Sequence, residues 1–168
     1  MEAAKVETKK KSQFRLSTEG ESFIKKELAR YESKLSATLP MLYRVQEENG
    51  WISPEAITYL SEMSGIPESH INEVCMFYTM FNKEPVGKNH VQVCCNISCC
   101  LLGARELYSH LLKEFDAKDA VMTNDKKFTF RRVECLGSCG TAPMMQVNDR
   151  YYENLTAEKA VEILKGLR

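Results

Sequence analysis

Between Thr18 and Phe81 apolar residues recur every three or four positions, a spacing that predicts four short helices. The first runs from about Thr18 to Tyr31 and carries Phe23, Leu28 and Tyr31; Thr18-Glu19-Gly20-Glu21 has capping-box spacing, with Glu21 expected to reach back to the Thr18 amide. The second covers about Ala37 to Asn49, with Leu39, Leu42 and Val45 on one side and Arg44, Glu47 and Glu48 on the other. Pro40 fits only its first turn, and Gly50 stops it. Ser53 caps a third helix with Pro54 at its first position; Ile57, Leu60 and Met63 face inward, and Gly65 ends it. Pro67 and Glu68 open a fourth, bearing Ile71, Val74, Cys75, Tyr78 and Phe81. A segment this small and rich in aromatics is not expected to be autonomous.

The pattern changes at Pro85-Val86-Gly87. His90 to Cys94 alternates as a strand, and Leu101 to Phe115 reads as one helix with Leu101, Ala104, Tyr108, Leu111 and Phe115 on a stripe. Lys127 to Arg131 alternates again, and Met144–Val147 and Tyr151-Tyr152 flank a hairpin turn at Asn148-Asp149-Arg150. Thr156 caps a last helix with Ala160, Ile163, Leu164 and Leu167. The order β-α-β-β-α is a compact α/β unit on one small mixed sheet. The fold class is therefore α+β: a Lys-rich flexible tail over 1–17, a four-helix segment over 18–88, and the α/β domain over 89–168.

Composition narrows the chemistry. The chain has 168 residues with 23 Lys+Arg against 23 Asp+Glu, so it lacks the basic footprint of a nucleic-acid binder. No apolar run reaches the ~18 residues of a membrane span. The N-terminal stretch has no apolar h-region, and Glu2 and Glu7 speak against a transit peptide. Lys9, Lys10 and Lys11 read as a solvated run, three charges being a weak signal for anionic lipid. The 7 cysteines are an odd number, which suits a reducing cytoplasm and metal binding better than a disulfide framework.

Six of them fall in two groups, Cys94-Cys95-Asn96-Ile97-Ser98-Cys99-Cys100 and Cys135-Leu136-Gly137-Ser138-Cys139, each where a strand gives way to a loop. C-x4-C followed 35 residues later by C-x3-C supplies four thiolates. The second spacing alone permits zinc, whereas a C-x4-C element and apolar flanks favour a buried two-iron cluster. Gly137 and Gly140 let backbone approach sulfur and adopt positive φ. Two registers are open in the first group, Cys94/Cys99 and Cys95/Cys100. Periodicity favours the first, because Cys100 shares the stripe of Ala104, Leu107 and Leu111, and Cys95 points away from Cys94.

Val93-Cys94-x4-Cys99-x-Leu-x-Gly103 and Cys135-Leu-Gly-x-Cys139-x-x-Ala-Pro143-x-x-x-Val-Asn148 resemble the thioredoxin-like [2Fe-2S] ferredoxin subunit of NADH–quinone oxidoreductase, respiratory complex I. Val45–Ile52, the Ile66-Pro67 step, Phe77–Phe81 and Pro85–Lys88 are similar to that family too, so the likeness covers about residues 20–168. The resemblance implies a thioredoxin-like domain whose cluster is held by Cys94, Cys99, Cys135 and Cys139. It also implies one-electron exchange with the FMN of a partner subunit that binds FMN and NADH, and docking through the helical segment and the cluster domain. Further peripheral-arm subunits are implied as neighbours, on the cytoplasmic face of a bacterial inner membrane. No catalytic residue is expected in this chain, since it has no G-x-G-x-x-G; hydride transfer would belong to the partner. Cys95 and Cys100 depart from the family pattern. The homologous subunit of an NAD-linked hydrogenase or formate dehydrogenase is the alternative, and a zinc-stabilised interaction domain is the reading from another class.

Outside this set, Cys75, Met144 and Met145 read as packed core. His70, His90 and His110 read as surface or satisfied-core histidines. Phe77, Tyr78 and Phe81 are expected to split between core and a partner surface. Arg131 and Arg132 are expected to meet a partner's acids or water. The isomer of the bond before Pro143 is left open, since cis accounts for about 5–6% of X–Pro bonds.

Overall fold

A computed structural model describes residues 14–167, and they divide into two compact units between Pro85 and Val86. The division comes earlier than the expected step after Lys88. The Gly87 N–H donates to Thr129 Oγ1 at 2.8 Å and the Lys88 N–H to the Lys126 carbonyl at 3.0 Å, which ties these residues to the sheet domain. Gly87 is required there, because a Cβ would lie 2.7 Å from the Phe128 backbone.

The first unit contains α1 (Thr18–Arg30), a 3-10 turn at Lys34–Ala37, α2 (Thr38–Asn49), α3 (Pro54–Ser64) and α4 (Glu68–Phe77). α1 packs on α2, α3 on α4, and α2 on α4. The stops at Gly50 and Gly65 are left-handed, with φ of 80° and 73°. Ser53 caps α3 by accepting from the Ala56 N–H at 3.1 Å. The cap of α1 differs from expectation. Ser17 fills it, accepting from the Gly20 N–H at 3.0 Å, and Glu21 instead accepts the Tyr59 hydroxyl at 2.6 Å. Glu48, brought up on α2, accepts both the Ser17 N–H and its hydroxyl, at 2.8 and 2.6 Å.

The segment expected to lack autonomy has a core of its own, built from Ile24, Met41, Leu42, Val45, Leu60, Ile71 and Phe81. Cys75 is buried in it, and burial pushes its thiol pKa up. Residues 14–17, expected in the tail, join this unit: Leu16 is buried and Phe14 stacks edge-on against Tyr59. The Lys9–Lys11 run and the rest of the tail lie outside the described residues.

The second unit is β1 (Asn89–Cys94), α5 (Ile97–Leu101), α6 (Ala104–Glu114), β2 (Phe128–Val133), β3 (Met145–Val147), β4 (Arg150–Tyr152) and α7 (Ala157–Gly166). The sheet order is β2-β1-β3-β4; β1 and β2 are parallel and the other pairs antiparallel. A helical crossover is what a parallel pair requires, and α6 fills that place against β1 and α7. Leu107, Leu111, Phe130, Met144, Met145 and Leu164 form the core, with Phe115 set against Phe128 and Phe130. Both methionines are packing residues, as expected.

The single helix expected over 101–115 is two. Gly103 turns left-handed at φ 92° and separates α5 from α6. The apolar stripe therefore does not continue back through Leu101, which is 81% exposed. His90 is buried, and among the described residues its Nε2 has no hydrogen-bond partner, so it is not a satisfied-core histidine. Arg132 meets an acid of its own domain, Asp119, at 3.2 Å and lies over the Tyr108 ring. The Ala142–Pro143 bond, whose isomer the sequence leaves open, is cis.

Candidate metal centre

Parallel pairing aligns strand ends. Cys94 at the end of β1 stands opposite Val133 at the end of β2, so Cys135 leaves the sheet beside it. β3 runs the other way, so its start lies at the same end, where the Cys94 N–H reaches the Met144 carbonyl at 3.4 Å. The stretch Cys139–Pro143 feeds into that start. One end of the sheet thus gathers both cysteine groups.

In the first group Asn96 caps α5, its side chain accepting from the Ile97 N–H at 2.7 Å. α5 begins before Cys99, not after it as the sequence suggested, and carries Cys99 within it. Cys94 and Cys99 are both buried, and the Cys94 thiol points to the Glu134 carbonyl at 4.0 Å. Burial pushes the Cys99 thiol up to about 11, the neighbouring Cys94 adds to the rise, and the Met144 backbone N–H pulls it back. Cys139 is close enough to act on Cys99 electrostatically.

The second group is built differently. Cys135 and Cys139 are exposed, and Cys139 opens a 3-10 turn, Cys139–Thr141. Gly137 adopts φ 75°, which aims its N–H at Cys135 Sγ at 3.3 Å. Gly140, expected to share that role, has no positive φ. Tyr151 on β4 donates its hydroxyl to the Leu136 carbonyl at 2.8 Å.

The remaining pair stands apart. The Cys95 thiol points to the Val93 carbonyl at 3.6 Å, and the Cys100 thiol to the Cys95 carbonyl at 3.2 Å. Cys95 lines a cleft of about 600 Å³ with Arg105, Asp119, Arg131, Arg132 and Glu134, a cleft that Cys94, Cys99, Cys135 and Cys139 do not line. Cys100 is half-buried on α5 rather than part of the α6 stripe, because Gly103 breaks the register between the two helices.

Among the described residues, no three His, Cys, Asp or Glu side chains are assembled to hold a single metal ion. A zinc site would need four sulfurs on one point, about 2.3 Å from it. The donor set here is a buried pair on one loop, two exposed thiols on a second loop beside it, and the Gly137 N–H aimed at one of them. That set suits a binuclear iron–sulfur cluster, which takes four thiolates and is tuned by N–H···S hydrogen bonds. Sequence reasoning missed the Met144 carbonyl, which accepts the Cys94 N–H, and the β4 residues, which reach the site only through sheet topology.

The family model for thioredoxin-like [2Fe-2S] ferredoxins matches residues 24–168. An NADH-quinone oxidoreductase subunit from Rickettsia bellii is 45% identical over 138 residues, 82% of this chain and 83% of that one. NADH-quinone oxidoreductase subunit 2 of Thermus thermophilus is 40% identical over 151 residues, 88% of this chain and 83% of that one. An NAD+-reducing [NiFe]-hydrogenase in its air-oxidized state shares the fold, with a TM-score of 0.67 at 20% identity; the match covers 76% of this chain and 22% of that one.

Proposed function

Because this chain belongs to the thioredoxin-like [2Fe-2S] ferredoxin family, we propose that it is the electron-transfer subunit of an NADH–quinone oxidoreductase and that Cys94, Cys99, Cys135 and Cys139 hold its cluster. The convergence of two cysteine loops at one sheet end, with the Gly137 N–H donated to the Cys135 sulfur, carries this reading. When bound, the cluster supplies reversible uptake of a single electron. The protein's own part is to bury Cys94 and Cys99 away from water while leaving Cys135 and Cys139 at the surface, where a partner's flavin can approach. The Gly137 amide places a positive dipole end against thiolate charge at Cys135.

The partner would be the subunit that binds FMN and NADH and performs hydride transfer, with other peripheral-arm subunits around it. Two surfaces support docking. Ile97, Leu101 and Leu102 leave an exposed apolar rim beside the cysteine loops, and Phe77, 78% exposed, with Met76 and Tyr43 does so on the helical unit proposed to bind the partner. Phe81 is buried and Phe77 exposed, so the aromatics split between core and surface. Among the described residues no helix is long and apolar enough to cross a membrane. The proposed location is peripheral, on the cytoplasmic face of a bacterial inner membrane.

The test is iron and acid-labile sulfide analysis of anaerobically purified protein, followed by EPR after reduction. The expected result is roughly two iron and two sulfide per chain and one unpaired spin, at a potential near the ~−400 mV of plant-type clusters. Zinc without sulfide overturns the reading.

A further inference from the structure

Glu153 follows β4 and has no place in the ligand set, yet three groups of the second cysteine loop converge on it or its neighbour. The Ser138 hydroxyl donates to Glu153 Oε1, and the Thr141 hydroxyl reaches the same oxygen at 2.6 Å. The two hydroxyls lie 2.6 Å from each other. The Asn154 N–H donates to the Thr141 carbonyl at 2.8 Å. Lys159 on α7 then closes on the Glu153 and Asn154 carbonyls, each at 3.3 Å, so the segment that holds the loop is itself held. Ser138 immediately precedes Cys139, and Thr141 ends the turn that Cys139 begins. A carboxylate accepting two hydroxyls forms charge-assisted hydrogen bonds, stronger than neutral ones. Those hydroxyls hold the Glu153 carboxyl below its ordinary pKa range, so it is an anion at neutral pH.

We propose that Glu153 is a positioning residue of the electron-transfer site: it clamps Ser138 and Thr141, fixes the Cys139 turn in ligand geometry, and sets a negative charge beside the second cysteine loop. The proposal rests on the cluster reading above. Two consequences follow from the two roles. The clamp slows loss of the cluster, and the charge opposes its reduction, since adding an electron beside an anion is unfavourable.

The two roles separate in two variants. Glu153→Gln keeps an oxygen acceptor for both hydroxyls and removes the charge; Glu153→Ala removes both. The readouts are the rate of cluster bleaching by an iron chelator and the midpoint potential by EPR-monitored titration, with a thermal melt to establish folding. Glu153→Ala is expected to bleach on the order of tenfold faster than the parent, the effect of losing a charge-assisted contact. Glu153→Gln keeps neutral hydrogen bonds to the hydroxyls and is expected to bleach at a rate between the parent and Glu153→Ala, while its reduction equilibrium shifts on the order of threefold toward the reduced form, about 28 mV for a one-electron couple. A purely structural role would not move the potential of the Gln variant. The double variant Ser138→Ala/Thr141→Val leaves Glu153 in place and is expected to reproduce the faster bleaching; it decides the clamp should Glu153→Ala fail to fold. Parent-like bleaching in the variants that break the clamp, or an unshifted potential in Glu153→Gln, overturns the proposal. A parent protein without iron and sulfide contradicts instead the cluster reading on which it rests.

Discussion

Cys94 and Cys99 are themselves members of the buried core, whereas Cys135 and Cys139 sit on an exposed loop held by the Tyr151 hydroxyl and by contacts to Ser138 and Thr141. One end of one sheet thus presents one pair of proposed ligands fixed by packing beside another fixed by hydrogen bonds. Packing survives the loss of a bound group, because the apolar surface stays buried without it. Surface hydrogen bonds compete with water and contribute only about 1 kcal/mol each. The second loop is therefore the half of the site that depends on what it binds.

Removing the cluster breaks the comparison most strongly. Hydrogen exchange at Leu136 to Gly140 is expected to accelerate on the order of a hundredfold, while β1 amides such as Val91 and Val93 keep their protection, since exchange reports local opening. Equal acceleration in both regions would mean that the first loop too is organised by the cluster.

Acid acts on the strand that carries the first loop. Burial, with a smaller contribution from Arg131, lowers the His90 pKa to about 4 from the ordinary 6.5. The folded state then binds fewer protons than the unfolded chain between those values. Stability from this residue is complete above pH 6.5 and is lost as pH falls toward 4, on the order of 3 kcal/mol in all. Chemical denaturation of the cluster-free protein at several pH values should show this slope, and His90→Leu should flatten it. A slope unchanged by that substitution would show that other groups carry it.

Two glycines sharpen the contrast at smaller scale. Gly137 and Gly103 both have positive φ, 75° and 92°, and an added Cβ meets nothing within 3.4 Å at either. Alanine at each should cost about 1–2 kcal/mol by backbone strain alone. Only Gly137 donates its N–H to a proposed ligand, Cys135, so only Gly137→Ala should also hasten cluster loss, as read by chelator bleaching. Comparable bleaching in Gly103→Ala would remove the distinction between the loops.

Local chemistry made much of this legible in the sequence. Ser53-Pro54, Gly50, Gly65 and Thr156 mark helix ends through backbone groups within a few residues, and all four act where the pattern places them. Alternation revealed the strands, and while spacing left two cysteine registers open, periodicity and the family resemblance pointed to Cys94, Cys99, Cys135 and Cys139, which the sheet brings to one end. What stayed hidden depends on distant partners. Ser17 and Thr18 are both plausible caps, and the choice is made by Glu48, which lies 31 residues from Ser17 in sequence. The α5–α6 break at Gly103 is invisible to periodicity, because Leu101 and Ala104 keep helical spacing across a left-handed turn. Glu153 and the Met144 carbonyl come to the site only once β3 and β4 pair antiparallel beside β1.

The ligand assignment is tested most directly by iron and sulfide content in six single variants purified anaerobically. Cys94→Ser, Cys99→Ser, Cys135→Ser and Cys139→Ser should each lose the cluster. Cys95→Ala and Cys100→Ala should retain roughly two iron and two sulfide per chain, because their thiols point to backbone carbonyls rather than to the other loop. A cluster kept in Cys94→Ser and lost in Cys95→Ala would contradict the assignment and shift the ligand register by one residue.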